Sequence, residues 1–284
     1  MASRNTPGTT GAKLTKEERR KQAREAARLL QIEEAKRAKR NRIMVIIGVI
    51  VALALVATAV FLVVSNGKKA QQAPDFTPAA SVFVDGTPAN VNDQGGISVG
   101  ADLVAGTANE GAPTVTIYFD YLCSWCNHLE ASYGEELTKM AQEGKITLVY
   151  QPVVLRGQQF SNAGAIANFF LAENAPDKYL AFSNAIFSQV TGPLFTDASK
   201  ESATEPTVDQ LIAVATEVGV PADVVANLQA VLADGSYQKW VDLANSQMQA
   251  NQLSGTPRVI IDGKELADWD NGNLTTYLNE LIEG

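Results

Sequence analysis

The chain has 284 residues with 31 acidic and 23 basic side chains, a net charge of −8, so it is longer than one average domain but need not hold two. Residues 1–42 contain 13 Lys and Arg against 5 Asp and Glu, whereas residues 70–284 contain 8 against 26, a net charge of −18. Because such an acidic globular part repels phosphate groups, the composition argues against a nucleic-acid-binding protein.

Residues 1–42 form a basic tail that we expect in the cytoplasm. From residue 14 onward the tail is dense in Ala, Lys, Arg and Glu, and Thr15 with Glu18 has the spacing of a capping box, which favours an exposed helix. Such a helix is either attracted to anionic lipid head groups or is a solvated charged helix that merely fixes the topology.

Residues 43–64 are 22 residues without a charge, enough to cross a hydrocarbon core of about 30 Å. A cleavable signal peptide is the alternative, but its apolar region usually has about 7 to 15 residues, and the small-residue match Ala57-Thr58-Ala59 lies inside the apolar run. We therefore predict an uncleaved transmembrane helix. The excess of basic residues before it predicts a single-pass protein of the cell membrane with the rest of the chain extracytoplasmic.

A polar linker and an irregular segment follow the apolar run. Residues 65–78 contain Gln and Pro and are expected to hold the domain, residues 79–284, away from the membrane. Between residues 79 and 113, turn residues surround short apolar pieces such as Ile97 to Val99. We expect this segment to wrap an edge of the domain.

The domain is organised around residues 114–144. Val115, Ile117 and Phe119 alternate with polar residues at the two-residue period of a strand. The only two cysteines follow in Cys123-Ser124-Trp125-Cys126, and apolar residues then recur at helical spacing up to a glycine stop. Two cysteines separated by two residues at a helix N-terminus indicate redox chemistry, because the partial positive charge there favours a thiolate.

The two sulfurs are not expected to be equivalent. Cys126 shares a helical face with Leu129 and Tyr133 and should turn toward the core, whereas Cys123 should be accessible to solvent and substrate. We therefore interpret Cys123 as the attacking thiolate and Cys126 as the resolving thiol. Two alternatives are a structural disulfide, whose short loop would contribute only about 2 kcal/mol, and half of a zinc site, for which His128 is the sole histidine.

The rest of the chain completes an α/β pattern. A second strand at residues 146–149 closes a strand-helix-strand unit, whose strands should be parallel. Residues 158–252 show helical spacing broken by Pro and Gly, which predicts four or five inserted helices. A strand at 258–261 and the turn Asp262-Gly263 predict a hairpin, and the final helix has Leu274, Leu278 and Leu281 on one face.

The predicted fold is therefore a thioredoxin fold with an inserted helical domain, preceded by a single transmembrane helix. The segments from Tyr118 to Cys126 and from Gly255 to Lys264 resemble the DsbA-like branch of the thioredoxin superfamily. The resemblance is to its membrane-anchored thiol-disulfide oxidoreductases from Gram-positive actinobacteria in particular, and it covers about residues 95–284.

The resemblance implies roles for three residues. Cys123 is the nucleophile, Cys126 resolves, and Pro257 is a cis-proline that faces the disulfide. A cis bond at this position would turn the backbone of Thr256 toward the site, where it could pair with an extended substrate chain. The alternative is an ordinary trans proline that opens a strand.

Three features depart from the family pattern. Ser124 and Trp125 replace the usual proline after the first cysteine and the frequent histidine before the second, so we expect them to tune the redox potential and Trp125 to contact substrate. Ile117 stands where many thioredoxin-fold enzymes carry a buried acid. Asp120 is then a proton acceptor or, as we expect, a solvated carboxylate at the strand end, and His128 is a surface or groove residue.

These observations favour a membrane-anchored, extracytoplasmic thiol-disulfide oxidoreductase that introduces disulfides into exported proteins. The expected partners are exported proteins that contain cysteine, membrane lipid through the anchor and, as the resemblance implies, a quinone-linked membrane oxidase of the DsbB or VKOR type. We expect no cofactor, no metal and no nucleic acid. The alternatives are a disulfide reductase or isomerase on the same fold, and a non-catalytic peptide-binding or chaperone-like module.

Overall fold

The computed structural model describes residues 74–83, 86–195 and 205–283, together with seven isolated positions between residues 24 and 48. The chain divides into two compact units, residues 1–70 and 71–284. The predicted transmembrane helix, residues 43–64, lies outside the described residues except for Met44 and Gly48, and so does the predicted linker, residues 65–78, up to residue 73. Within the described part, every helix is too short or too polar to span a bilayer.

The second unit is built on a five-stranded sheet in the order β1-β3-β2-β4-β5. The strands are β1 (Ile97–Val99), β2 (Thr114–Phe119), β3 (Thr147–Pro152), β4 (Arg258–Ile261) and β5 (Lys264–Glu265). Strands β2 and β3 are parallel and the other neighbours are antiparallel, which confirms the predicted parallel pair and hairpin. Strand β3 ends three residues later than predicted, because its whole length is buried in the sheet.

Helix α1 (Ser124–Gln142) connects β2 to β3. Five α-helices follow between β3 and β4: α2 (Gln159–Asn174), α3 (Tyr179–Ala185), α4 (Val208–Glu217), α5 (Ala222–Asp234) and α6 (Gln238–Ala250). A π-helical segment (Ile186–Thr191) and a 3-10 turn (Gly192–Leu194) extend α3, and α7 (Asn273–Glu283) ends the domain. Helices α2 to α6 lie within the range predicted for the helical insertion, residues 158–252.

The larger of two apolar clusters in the described part of the chain runs through the sheet, α1 and the inserted helices. It includes Ile117 from β2, Leu129 from α1 and Phe169 and Leu211 from the insertion. Because the insertion shares this core, it supports the loops that carry the cysteines.

The last helix is less buried than its apolar pattern predicts. Leu274 and Leu278 are buried, but Leu281 is 39% exposed. The shared apolar face is therefore buried at Leu274 and Leu278 and partly exposed at Leu281, while Ile282 in the same turn packs against the core.

The segment before β2 touches both edges of the sheet. At one edge β1 pairs with β3, and at the other the amide of Phe76 donates to the carbonyl oxygen of Gly263 over 2.6 Å. Between them the segment crosses α6, where Val82 donates its amide hydrogen to the side-chain oxygen of Gln247 over 2.7 Å. The expectation that residues 79–113 wrap an edge is confirmed.

Candidate active site

Cys123 is the N-cap residue of α1. Strand β2 ends at Phe119, and a tight turn follows in which the amide of Cys123 donates to the carbonyl oxygen of Asp120 over 3.0 Å. The backbone of Cys123 is extended, with φ −86° and ψ 118°, and its sulfur accepts from the amide of Cys126 over 3.3 Å. The thiol thus occupies the place of a capping side chain, where the free N–H groups of the helix meet it.

The two sulfurs differ in exposure as the helical spacing predicts. Cys126 is 2% exposed and belongs to the core, while Cys123 is only partly buried and packs at the edge of that core. Of the residues between them, Trp125 is 48% exposed. A partner can therefore reach Cys123 but not Cys126.

The same surroundings separate the acidities of the thiols. The pKa of Cys123 is lowered to about 6, chiefly by its hydrogen bond with Cys126, against the effect of burial; Thr256 and the N–H groups of Cys126 and Trp125 add to the lowering. Burial raises the pKa of Cys126 well above its ordinary value, and the neighbouring Cys123 raises it further. In the reduced protein the negative charge therefore resides on Cys123.

The loop before β4 completes the sulfur site. The Thr256–Pro257 peptide bond is cis, as predicted, and Gly255 before it has a φ of +75°, a conformation that L side chains rarely adopt. The sulfur of Cys123 lies 3.2 Å from the carbonyl oxygen of Thr256, to which it donates when it is protonated. The structure thus brings together the two motifs that lie more than 130 residues apart in the sequence.

A groove of about 280 Å³ opens beside Cys123. Its lining includes Ser124 and Trp125 from the start of α1, Leu155 from the loop after β3 and Thr256 from the loop before β4. Leu155 is 45% exposed, so together with Trp125 it gives the groove two exposed apolar side chains. The sequence pattern did not indicate Leu155, because its neighbours in the loop show no periodicity.

Asp120 is not the solvated carboxylate that its place at the strand end predicts. It is only 4% exposed and accepts hydrogen bonds from the amides of Leu122 and Leu155, each over 3.0 Å, and from the hydroxyl of Ser161 over 2.5 Å. The prediction is wrong because the loop after β3 and the start of α2 fold over the strand end. Asp120 thereby ties the cysteine turn to the opposite wall of the groove.

His128 lies at the surface beside the groove, as predicted. Its Nε2 is 3.2 Å from an Oδ1 of Asp270, and its ring meets that of Trp125 edge to face at 5.5 Å. Trp269, which is 7% exposed, packs against both rings at 6.4 Å and 6.0 Å. This aromatic cluster fixes the first turns of α1 to the segment before α7.

A half-buried acid lies in α1 although Ile117 is apolar. Glu130 in α1 accepts a hydrogen bond from the hydroxyl of Tyr150 over 3.0 Å, and burial raises the pKa of Glu130 to about 7. Its spacing of four residues from Cys126 was the available signal in the sequence, since such residues share a helical face.

The domain matches the sequence model of a known protein family. The sequence model of a family described as thioredoxin matches residues 99–280, which is more than half of the chain. No curated protein sequence matches.

Several solved structures have a similar fold. MdbA, a thiol-disulfide oxidoreductase from Actinomyces oris, is 29% identical, with 69% of this chain and 88% of that chain covered and a TM-score of 0.56. BdbD from Bacillus subtilis is 17% identical, with 74% of this chain and 100% of that chain covered and a TM-score of 0.54. DsbA from Mycobacterium tuberculosis is 21% identical, with 66% of this chain and 93% of that chain covered and a TM-score of 0.51. The last two are too distant in sequence to indicate more than the fold.

Proposed function

Since the chain belongs to the thioredoxin family and is a thiol-disulfide oxidoreductase, we propose that it donates its Cys123–Cys126 disulfide to exported proteins. The observation that carries the proposal is the inequality of the two sulfurs, an accessible Cys123 with a pKa of about 6 beside a buried Cys126. A stabilised thiolate favours the reduced form of such an enzyme, so its disulfide is an effective oxidant.

The chemistry requires two exchanges. A substrate thiolate attacks the sulfur of Cys123; a new sulfur–sulfur bond forms while the Cys123–Cys126 bond breaks, and Cys126 leaves as a thiolate that takes up a proton. A second substrate thiolate then attacks the substrate sulfur of this mixed disulfide, and Cys123 leaves as a thiolate. The substrate has lost two electrons to form its disulfide, and the enzyme is reduced.

The groove supplies a binding mode for the substrate. The backbone of Thr256 lies beside Cys123 and is suited to pair with an extended chain, while the exposed side chains of Trp125 and Leu155 can cover apolar groups on either side of the attacking cysteine. An unfolded exported protein offers all of these features: an extended backbone, exposed apolar side chains and free thiols.

The anchor and the redox partner are parts of the same proposal. Residues 43–64 would hold the protein in the cell membrane with residues 70–284 outside, and a quinone-linked membrane oxidase of the DsbB or VKOR type would restore the disulfide. The basic residues before the apolar run support this orientation. A protease added to intact cells should digest residues 70–284 and spare the tail; protection of the acidic domain would overturn the orientation.

The direction of the reaction is tested by the reduction potential. Equilibration of the domain with glutathione should give a value near that of an oxidase, about −120 mV, whereas a value near about −270 mV would assign the reductase or isomerase alternative. In cells, Cys126→Ala should accumulate adducts with exported proteins that dithiothreitol releases, and Cys123→Ser in the same background should abolish them. Full function of the Cys123→Ser variant alone would show that the protein acts as a non-catalytic peptide-binding module.

A further inference from the structure

Asn127 is a buried polar residue in the first turn of α1. Its side-chain nitrogen donates to the carbonyl oxygen of Tyr121 over 2.8 Å and to that of Cys123 over 2.9 Å. An amide nitrogen carries two hydrogens, so both are used. The side chain thereby joins the turn after β2 to the residue that caps α1.

The side-chain oxygen of Asn127 is held from the inserted helices. The hydroxyl of Thr191, a buried residue at the end of the π-helical segment, lies 2.6 Å from it. The carbonyl oxygen of Ile186 is a second acceptor within reach of that hydroxyl, at 3.3 Å. Because a hydroxyl has one hydrogen and the contact with Asn127 is the shorter, Thr191 donates to Asn127. In the described part of the chain, Thr191 is the only donor to this oxygen.

The three contacts of Asn127 depend on one another. The two carbonyl oxygens decide which way its amide group points, because a carbonyl oxygen can only accept. The hydroxyl of Thr191 then satisfies the remaining oxygen, which would otherwise be a buried acceptor without a donor. A cavity of about 570 Å³ borders Asn127, so without the hydroxyl, water in this cavity would compete with the carbonyl oxygens for the side chain.

The contacts of Cys123 show what Asn127 does for the sulfur. The carbonyl oxygen of Cys123 accepts from the backbone amide of Asn127 over 3.1 Å as well as from its side chain. This pair of bonds fixes the backbone of Cys123 at the N-cap, where its sulfur accepts from the amide of Cys126 over 3.3 Å. An N–H donor stabilises a thiolate more than a thiol, so the capping position favours the reactive form.

The π-helical segment places Thr191 against α1. The ring of Phe187 in this segment packs on the ring of Tyr121 with their centres 4.8 Å apart, so the segment meets the cysteine turn at a second point. A Cβ atom on Gly192 would come within 2.5 Å of the carbonyl oxygen of Phe187, and the wide turn that ends at Thr191 therefore requires a glycine next. Single π-helical turns are frequent at functional sites.

We propose that Asn127 and Thr191 are positioning residues for the reaction of Cys123, and that the inserted helices hold its sulfur at the N-terminus of α1 through them. Loss of either side chain releases the backbone of Cys123, and the sulfur then spends less time at the capping amides. The thiolate loses stabilisation and reacts more slowly at acidic pH. The inference rests on the proposed role of Cys123 as the reacting sulfur.

The test is the pH profile of alkylation of Cys123 by iodoacetamide in the reduced full-length protein, followed by mass spectrometry. Thr191→Val keeps the branched shape and removes the hydroxyl. The midpoint of the profile, expected at about 6 in the wild type, should move upward by about one pH unit, which makes alkylation at pH 5 about tenfold slower. A wild-type profile in Thr191→Val would overturn the inference.

Two matched variants separate the hydroxyl from packing. Thr191→Ser keeps the hydroxyl and should follow the wild-type profile. Val190→Ala truncates a buried side chain of the same segment that cannot form a hydrogen bond, so it should lower the midpoint of urea denaturation and leave the pH profile unchanged. An equal shift of the pH profile in either variant would assign the effect to packing of the segment and reject the role of the hydroxyl.

A double variant tests the order of the contacts. Asn127→Ala should shift the profile at least as far as Thr191→Val does. Adding Thr191→Val to it should cause no further shift, because the two residues act through one hydrogen bond. Additive shifts would show that Thr191 acts by a separate route and would reject the proposed order. Thr191→Val with its two controls decides the question if Asn127→Ala does not fold.

The outcome does not depend on the proposed substrates. If Cys123 forms no adducts with exported proteins while Thr191→Val still shifts the pH profile, the proposed function fails and the role of Thr191 stands. If adducts form while Thr191→Val follows the wild-type profile, the proposed function stands and the role of Thr191 fails.

Discussion

The thiol of Cys123 lies 3.2 Å from the carbonyl oxygen of Thr256 and donates to it, across a separation of 133 residues in the sequence. This contact joins the N-terminus of α1 to the loop that contains the cis-proline. It places the sulfur in a groove whose lining residues come from separate parts of the chain. A substrate that reaches Cys123 therefore meets the backbone of Thr256 at the same time.

Removal of the buried thiol should weaken the acidity of the exposed one. The hydrogen bond from Cys126 contributes most to the lowered pKa of Cys123, so Cys126→Ala should raise that pKa from about 6 toward the ordinary value of about 8.5. The measurement is the rate of alkylation by iodoacetamide as a function of pH. Ser124→Ala is the matched control, because its hydroxyl does not contribute to the lowering. An unchanged profile in Cys126→Ala would contradict the assignment.

The two tryptophans near the sulfurs should respond differently to truncation. Trp125 is 48% exposed and Trp269 is 7% exposed. Trp125→Ala should change the free energy of unfolding by less than about 1 kcal/mol but lower kcat/KM for oxidation of an unfolded substrate, since it removes part of the groove wall. Trp269→Ala should cost about 3 to 5 kcal/mol. Urea denaturation and a refolding assay distinguish the two effects, and a large loss of stability in Trp125→Ala would show that it packs in the core.

Asp120 should be important for stability. Asp120→Ala leaves the amides of Leu122 and Leu155 and the hydroxyl of Ser161 without their common acceptor, at a cost of about 2 to 4 kcal/mol. Asp120→Asn keeps an acceptor oxygen and should cost less, and Ser161→Ala, which removes a single donor, about 1 kcal/mol. Equilibrium denaturation of the three variants should give this order; equal stability of Asp120→Ala and the wild type would mean that the carboxylate does not hold the loop.

Glu130 should make stability fall with rising pH. Its pKa is raised from 4.5 to about 7 in the folded protein, so the folded state binds more protons than the unfolded state between these values. Its contribution is therefore full below about pH 4 and lost by about pH 7. Relative to the wild type, Glu130→Gln should gain about 3 kcal/mol in the free energy of unfolding between pH 4 and pH 8. Urea titrations at both pH values measure it, and a constant difference would place Glu130 in solvent.

The sequence by itself determined the secondary-structure elements around the site and the identity of the two reacting sulfurs. The alternation of residues 114–119, the spacing of the two cysteines and the apolar positions of α1 all follow from local geometry, because strand and helix periods decide which side chains share a face. For this reason the burial of Cys126, the exposure of Cys123 and the cis-proline loop agree with the sequence-based expectations.

Only the tertiary structure decided the surroundings of the sulfurs. Asp120 is buried because a loop more than 30 residues later folds over it. Burial raises the pKa of Glu130, and the hydrogen bond from Tyr150 acts against that effect. Leu155 forms a wall of the groove because β3 places its loop opposite Trp125. Desolvation and hydrogen bonding depend on which distant segments meet, and no local period of the sequence encodes that meeting.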